Sequence, residues 1–486
     1  MKKRLIAVLL LMGMLLTSAA CASDTGTSSD ADNTASADNA ATTAAETADP
    51  YDDELGTYDF EGEEFHFYTR DKTTFNDSLN ITEETGDAFN DAQFKRNRML
   101  EERFNFVFKE TFEENNTANA RTAVIAGDDT YDIIQTRCVY AYNYAAEGLV
   151  IPVQDLPVIN LDKPYWDSKL TDEMTILGKK YFAVGDFNLT SYDFTHVLLF
   201  NKAMMRDFGL GDIYSLVKNG EWTLEKYEKM AVTVKGDVNG DGKMDANDRY
   251  GYLATVKQVL PNFWISSDMV SVEKDSDDKP IFTMTSNEKL VSLIDELFRM
   301  HWDTGMWLPS TTSHDINPEF LTMFTNNFSL FADSTCFTLN TLRAMETDFG
   351  IIPYPKYDEL QEQYCARIEG CELFCVPVTN KNHEFTGVVL EAMSAESAKS
   401  VVPAYYDIAL QGKITRDEES SEMLDIIFDN RVFDWGDTIW CTEIRDGIFD
   451  GMFKDNDRDL ASKTAELENL VANKIKTTVE TFEKLS

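Results

Sequence analysis

A chain of 486 residues with 44 Lys and Arg against 85 Asp and Glu carries a formal charge of −41, a field that repels polyphosphates and excludes nucleic acid as a partner. Five histidines, without an HExxH or CxxC pattern, argue against a zinc enzyme. The length exceeds one core, so two lobes are expected, and the 12% aromatic share must fill those cores or offer flat faces to sugars and peptides.

Lys2, Lys3 and Arg4 precede an apolar run from Leu5 to Leu16, and Ser18, Ala19 and Ala20 lead into Cys21. A run this short does not span a bilayer permanently, and residues 1–20 read as a secretory signal. A cysteine after small residues resembles the lipobox of bacterial lipoproteins. That resemblance implies acylation of Cys21 and a lipid anchor on the extracellular side of the cell membrane. Ser18 departs from the leucine usual there. From Ala22 to Pro50 the chain is almost entirely Ala, Ser, Thr, Asp and Asn, without an aromatic, Lys or Arg. Such residues bury too little surface to offset their ordering entropy, so residues 21–50 are expected to form a solvated tether.

Glu64–Tyr68 alternates as a strand, Asp87–Phe104 has helical spacing, and Asn105–Lys109 is again strand-like. Arg121–Gly127 ends a second helix, Tyr131–Gln135 reads as a buried strand, and Ala141–Gly148 as a short helix. This alternation predicts a parallel sheet covered by helices. Three prolines between Val150 and Pro164 mark a change of lobe. Lys180–Gly185 and Thr195–Asn201 then read as strands, and Lys202–Phe208, Thr223–Val232 and Asn287–Trp302 as helices. Asn327–Asp333, Phe349–Pro353 and Glu372–Val376 read as strands that return to the first lobe and feed the helix Glu384–Met393. The expected division is 51–155 with 334–397 for lobe 1 and 156–333 with 398–486 for lobe 2. Hinges are expected near Pro152 and Asp333.

In that order, TYDII, EGLVIPVQDLP, the KKYFAVGDFN hairpin, VLLFNKAMMRDFGL, GEWTLEKYEKMA and FGIIPYPKY resemble extracellular solute-binding proteins of ABC importers, the sugar-binding group related to maltose-binding protein. The resemblance covers nearly all of residues 57–486. It implies an α/β, periplasmic-binding-protein-like fold whose two lobes close on a sugar or oligosaccharide and deliver it to membrane subunits. It also implies a monomer that makes and breaks no bond.

Asp237, Asn239, Asp241, Lys243, Asp245 and Asp248 occupy positions 1, 3, 5, 7, 9 and 12 of a loop with glycine at position 6. A hard ion with six or seven oxygen ligands fits that spacing, with Lys243 offering its carbonyl, so the segment resembles an EF-hand or dockerin loop for a structural calcium. Aspartate stands where an EF-hand has glutamate.

Sugar clefts need aromatic faces and groups that hydrogen-bond hydroxyls. Candidates at element ends are Tyr68, Arg70, Arg137, Asp186, Asn188, Trp264, Asp333 and Glu369, with Trp302 and Trp435 reaching in from the second lobe. Trp222, before the helix start at Thr223, reads as structural. A surface glycoside hydrolase is the rival, because with 85 acids the sequence alone does not exclude two carboxylates at the right separation. No eightfold βα repeat, GxSxG elbow or P-loop supports it. A cellulosome component fails because dockerins carry two such loops. Binding of peptides or other solutes by the same fold stays open.

Overall fold

The computed structural model describes residues 49–70, 78–113, 116–310, 318–339, 342, 348–411 and 418–485. Cys21, the segment expected to be a signal and the expected tether up to residue 48 lie outside the described residues. Asp53–Ser486 forms one compact unit; before it, a turn is closed by the Asp52 N–H on the Asp49 carbonyl at 3.1 Å.

The strands are β1 (Glu63–Arg70), β2 (Phe106–Glu113), β3 (Ile133–Arg137), β4 (Val150–Ile151), β5 (His196–Asn201), β6 (Tyr250–Thr255) and β7 (Val272–Lys274). They continue with β8 (Pro280–Phe282), β9 (Trp307–Ser310), β10 (Ser329–Thr335), β11 (Phe349–Ile352), β12 (Ala366–Arg367), β13 (Glu372–Pro377) and β14 (Arg431–Val432). Two five-stranded sheets organise the unit, in the orders β2-β1-β3-β13-β4 and β11-β5-β10-β6-β9.

In the first sheet β1 runs parallel to β2 and β3, as the alternation predicts, and Phe65 meets Phe106, Phe108 and Phe385 edge-on at 6.4, 6.0 and 5.3 Å. The helix Ala88–Phe104 starts on Asp87, whose carboxylate accepts from the Phe89 and Asn90 N–H groups, and stops at Asn105 in the left-handed region. β13 is antiparallel to β3 and β4, because it arrives from the other sheet instead of through a crossover helix. In the second sheet β10 is parallel to β6 and antiparallel to β5.

Four sequence expectations need correction. Lys180–Gly185 forms no strand beyond a bridge from Gly185 to Trp166; it is buried coil whose Lys180 and Val184 carbonyls accept from Val153 and Asp167. β11, expected in lobe 1, pairs with β5 of the second sheet. The crossing back therefore falls between Ile368 and Glu372, and Asp333 lies inside β10 opposite Leu198 instead of at a hinge. The C-terminal part does not stay with lobe 2: in the helix Leu460–Leu485, Thr478 hydrogen-bonds the Tyr142 hydroxyl at 2.7 Å and Phe482 packs on the Tyr142 ring, over the helix that follows β3.

Candidate functional site

In open α/β sheets ligands sit outside the carboxyl ends of the strands. Here β1 ends at Arg70, β3 at Arg137, β6 at Thr255 and β10 at Thr335, and β13 begins at Glu372. The helices Cys138–Ala146 and Val256–Ser266 start directly after β3 and β6.

Glu369, on the crossing between the sheets, is the centre of a buried charged network. Its carboxylate accepts from Gln258 Nε2 at 2.7 Å and Arg445 Nη1 at 3.1 Å, with His196 Nε2 at 3.4 Å and Lys257 Nζ at 3.8 Å. Burial alone raises that carboxyl, but Arg367, Arg445 and His196 outweigh it and hold Glu369 well below the usual carboxylate range. Arg367 grips Asp437 with Nε and Nη2 at 2.6 and 2.8 Å. Arg445 joins Asp437 at 3.0 Å and Asp446 at 2.7 Å. Asp333 accepts from His196 Nδ1 at 3.0 Å and from Asn262 at 2.9 Å, and also from the Tyr354 hydroxyl. Burial disfavours the His196 cation, yet Asp333 raises its pKa to about 9. A protonated ring donates from both nitrogens, so its 3.3 Å approach to Arg367 is a close contact and not a hydrogen bond.

Beside this network, Arg70 Nη2 stands 3.3 Å from Glu372 on the first sheet. Arg137 needs Gly370: a Cβ there would fall 2.5 Å from Arg137 Nη2, and Gly370 adopts φ 56°, which favours glycine. On the second sheet a recess of about 30 Å³ is lined by Leu199, Ala254, Thr255, Phe320, Asp333 and Thr338, large enough for a water but not for a sugar ring.

Arg70, Arg137, Asp333 and Glu369 are thus brought to one region. Of the other candidates only Asn188 lies beside them, through the Glu372 main chain. Tyr68 is buried within β1, stacks on Tyr131 at 4.4 Å and donates to Glu113 at 2.6 Å. Asp186 is buried and accepts from the Tyr192 hydroxyl at 3.1 Å. Asn188 is used on backbone, donating to the Glu372 carbonyl at 2.8 Å. Trp264 is no loop residue: it lies in the helix Val256–Ser266, 1% exposed, and donates to Asp434 at 2.9 Å. Trp435 is equally enclosed, against Trp440 at 5.1 Å, and Trp302 donates to the Phe453 carbonyl at 3.1 Å beside Trp307. The tryptophans fill cores because a large ring gains most from full burial. Sequence reasoning missed His196, Gln258, Lys257, Arg367, Glu372, Asp437 and Arg445. A histidine inside THVLLFN and the alternating charges of RIEGCE were the available signs.

The 237–248 loop closes on itself. Asp237 accepts from the Gly240 and Gly242 N–H groups at 2.6 and 2.8 Å, Asn239 from Asp241 at 2.9 Å, and Asp241 from Lys243 at 2.8 Å. Asp248 is buried, and the Asp245 and Val238 N–H groups hold its carboxyl below the usual range. Among the described residues no three His, Cys, Asp or Glu side chains are gathered to hold a metal. No described helix is long and apolar enough to cross a membrane.

No protein-family model matches the sequence, and no curated protein matches it. Solved structures do. A sugar transporter of Rhizobium etli in an open conformation is similar at TM-score 0.58 and 15% identity, covering 86% of this chain and 99% of its own. An ABC substrate-binding protein of Listeria monocytogenes in complex with cycloalternan gives 0.55 and 12%, over 85% and 99%. The galacto-N-biose-/lacto-N-biose I-binding protein of the Bifidobacterium longum ABC transporter, in complex with lacto-N-biose, gives 0.55 and 12%, over 88% and 98%. The chain has the two-lobed α/β fold of ABC solute-binding proteins. The neighbours named are binding and transport proteins.

Proposed function

We propose that this chain is a solute-binding protein that captures a sugar or oligosaccharide at the carboxyl ends of its two sheets and hands it, unaltered, to the membrane subunits of an ABC importer. The observation that carries the proposal is the fold shared with sugar-binding neighbours over 85 to 88% of the chain. The site chemistry supports it: charged donors and acceptors, held in place by one another, suit a ligand covered in hydroxyl groups. Arg70, Arg137 and Lys257 are partly exposed at the rim and serve as first contacts. The crossings after β4 and at 368–372 serve as hinges. Thermal-shift screening of the mature chain against mono- and oligosaccharides tests this, since a ligand of the folded state raises the melting temperature. Product analysis then separates carrier from enzyme: intact sugar is expected, and steady turnover would refute the proposal.

Two further assignments belong to it. Acylated Cys21 holds the protein on the outer face of the cell membrane, with residues 22–50 as the tether. The 237–248 loop takes one structural calcium. Its donor set suits a hard cation, and the carboxylates now accepting backbone N–H bonds retain lone pairs for an ion.

A further inference from the structure

Glu372 and Arg137 are directly paired in the antiparallel register of β13 and β3. Their side chains are complementary, yet neither hydrogen-bonds the other. The Glu372 side chain is 0% exposed and neither carboxylate oxygen accepts a hydrogen bond; Arg70 approaches one of them without the alignment of a bond. The Arg137 guanidinium makes no hydrogen bond or ion pair with a described residue, although Gly370 leaves it room. Nearby polar groups are already engaged, because the Asn188 amide and Thr190 hydroxyl serve the Glu372 main chain.

A buried carboxylate without donors is costly, and native chains keep one where something else supplies the donors. Resting on the sugar-binding proposal, we propose that Glu372 and Arg137 form a clamp for two vicinal hydroxyls of a neutral saccharide. Each hydroxyl donates its proton to one Glu372 oxygen, and the hydroxyl oxygens accept from the Arg137 fork. Glu372 is then a specificity-determining residue: a sugar lacking either hydroxyl leaves a buried oxygen unpaired.

The clamp has a proton signature. The groups facing Glu372 are Arg70 from β1, Arg137 from β3, Cys138 from the helix after it, and the neighbouring Cys371. Burial outweighs the two arginines and raises the Glu372 carboxyl to about 7. Hydroxyl donors favour the charged form, so binding at about that pH releases protons.

Calorimetry of the full mature chain against maltotetraose, cellotetraose, xylotetraose and lacto-N-biose, in buffers of different ionisation enthalpy, tests this. Wild type is expected to bind at least one of the four with proton release. Glu372→Gln and Arg137→Lys should each weaken that sugar by about tenfold or more. Glu372→Gln should also abolish proton release without lowering the melting temperature, since it removes a buried charge. Monodeoxy derivatives of the bound sugar test the clamp on wild type if a variant fails to fold, and equal affinity for all of them overturns it. Unchanged affinity in both variants overturns the clamp alone, as does weaker binding that still releases protons in Glu372→Gln. Wild type that binds none of the four sugars removes the clamp and the sugar-binding proposal together.

Discussion

His196 and Asp333 reach across adjacent antiparallel strands, two register positions apart, to bring Nδ1 within 3.0 Å of Oδ1 in a site where the imidazole is 1% exposed. Burial opposes the cation and Asp333 overrides it, leaving a pKa of about 9 in the folded chain. The unfolded value is near 6.5, so this stabilisation is complete below about pH 6.5 and lost as pH rises through about 9, up to roughly 3 kcal/mol. Urea unfolding of wild type and His196→Asn at about pH 6 and about pH 9.5 should show the gap between them shrinking at the higher pH. A constant gap would mean that the ring is neutral.

Replacing Trp264 by Ala should destabilise the chain by about 3–5 kcal/mol, because it opens a cavity against Phe449 and deprives the buried Asp434 of a donor. Sugar affinity of the protein that remains folded should not change. A loss of affinity in folded Trp264→Ala would return this ring to the cleft.

Chelation should lower the melting temperature, since calcium at a hundredfold excess over its dissociation constant adds about 2.7 kcal/mol. Asp241→Ala should remove that sensitivity, and calorimetry of the metal-free chain should show one calcium bound. No uptake would contradict the loop assignment.

Cys21→Ser should shift the protein from the membrane fraction to the medium without changing its binding. Unaltered retention would show that something other than an acylated thiol holds it.

The strands and helices of the first lobe were legible because local periodicity records which face is buried: β1, the helix after Asp87 and β3 appear within a few residues of their expected places. Partner choice left no such record. FGII in β11 is apolar in either sheet, and only its pairing with Leu198 to Asn201 decides the matter. For the same reason Asp333 reads as the end of an apolar run and proves to be a strand interior. Arg137 and Glu369 could be named from their position beside apolar strands, whereas Glu372 looked like the first residue of one. Its significance depends on Arg137, 235 positions away in the chain and opposite it in the sheet.

The helix Leu460–Leu485 ties the end of the chain back onto its first lobe. Tyr142, in the helix that follows β3, is covered by Trp435 and, more than three hundred residues later in the chain, by Thr478 and Phe482. The first lobe is therefore built from residues at both ends of the described chain. Truncation before Leu460 should leave part of that apolar face bare, and the shortened chain should expose it to solvent.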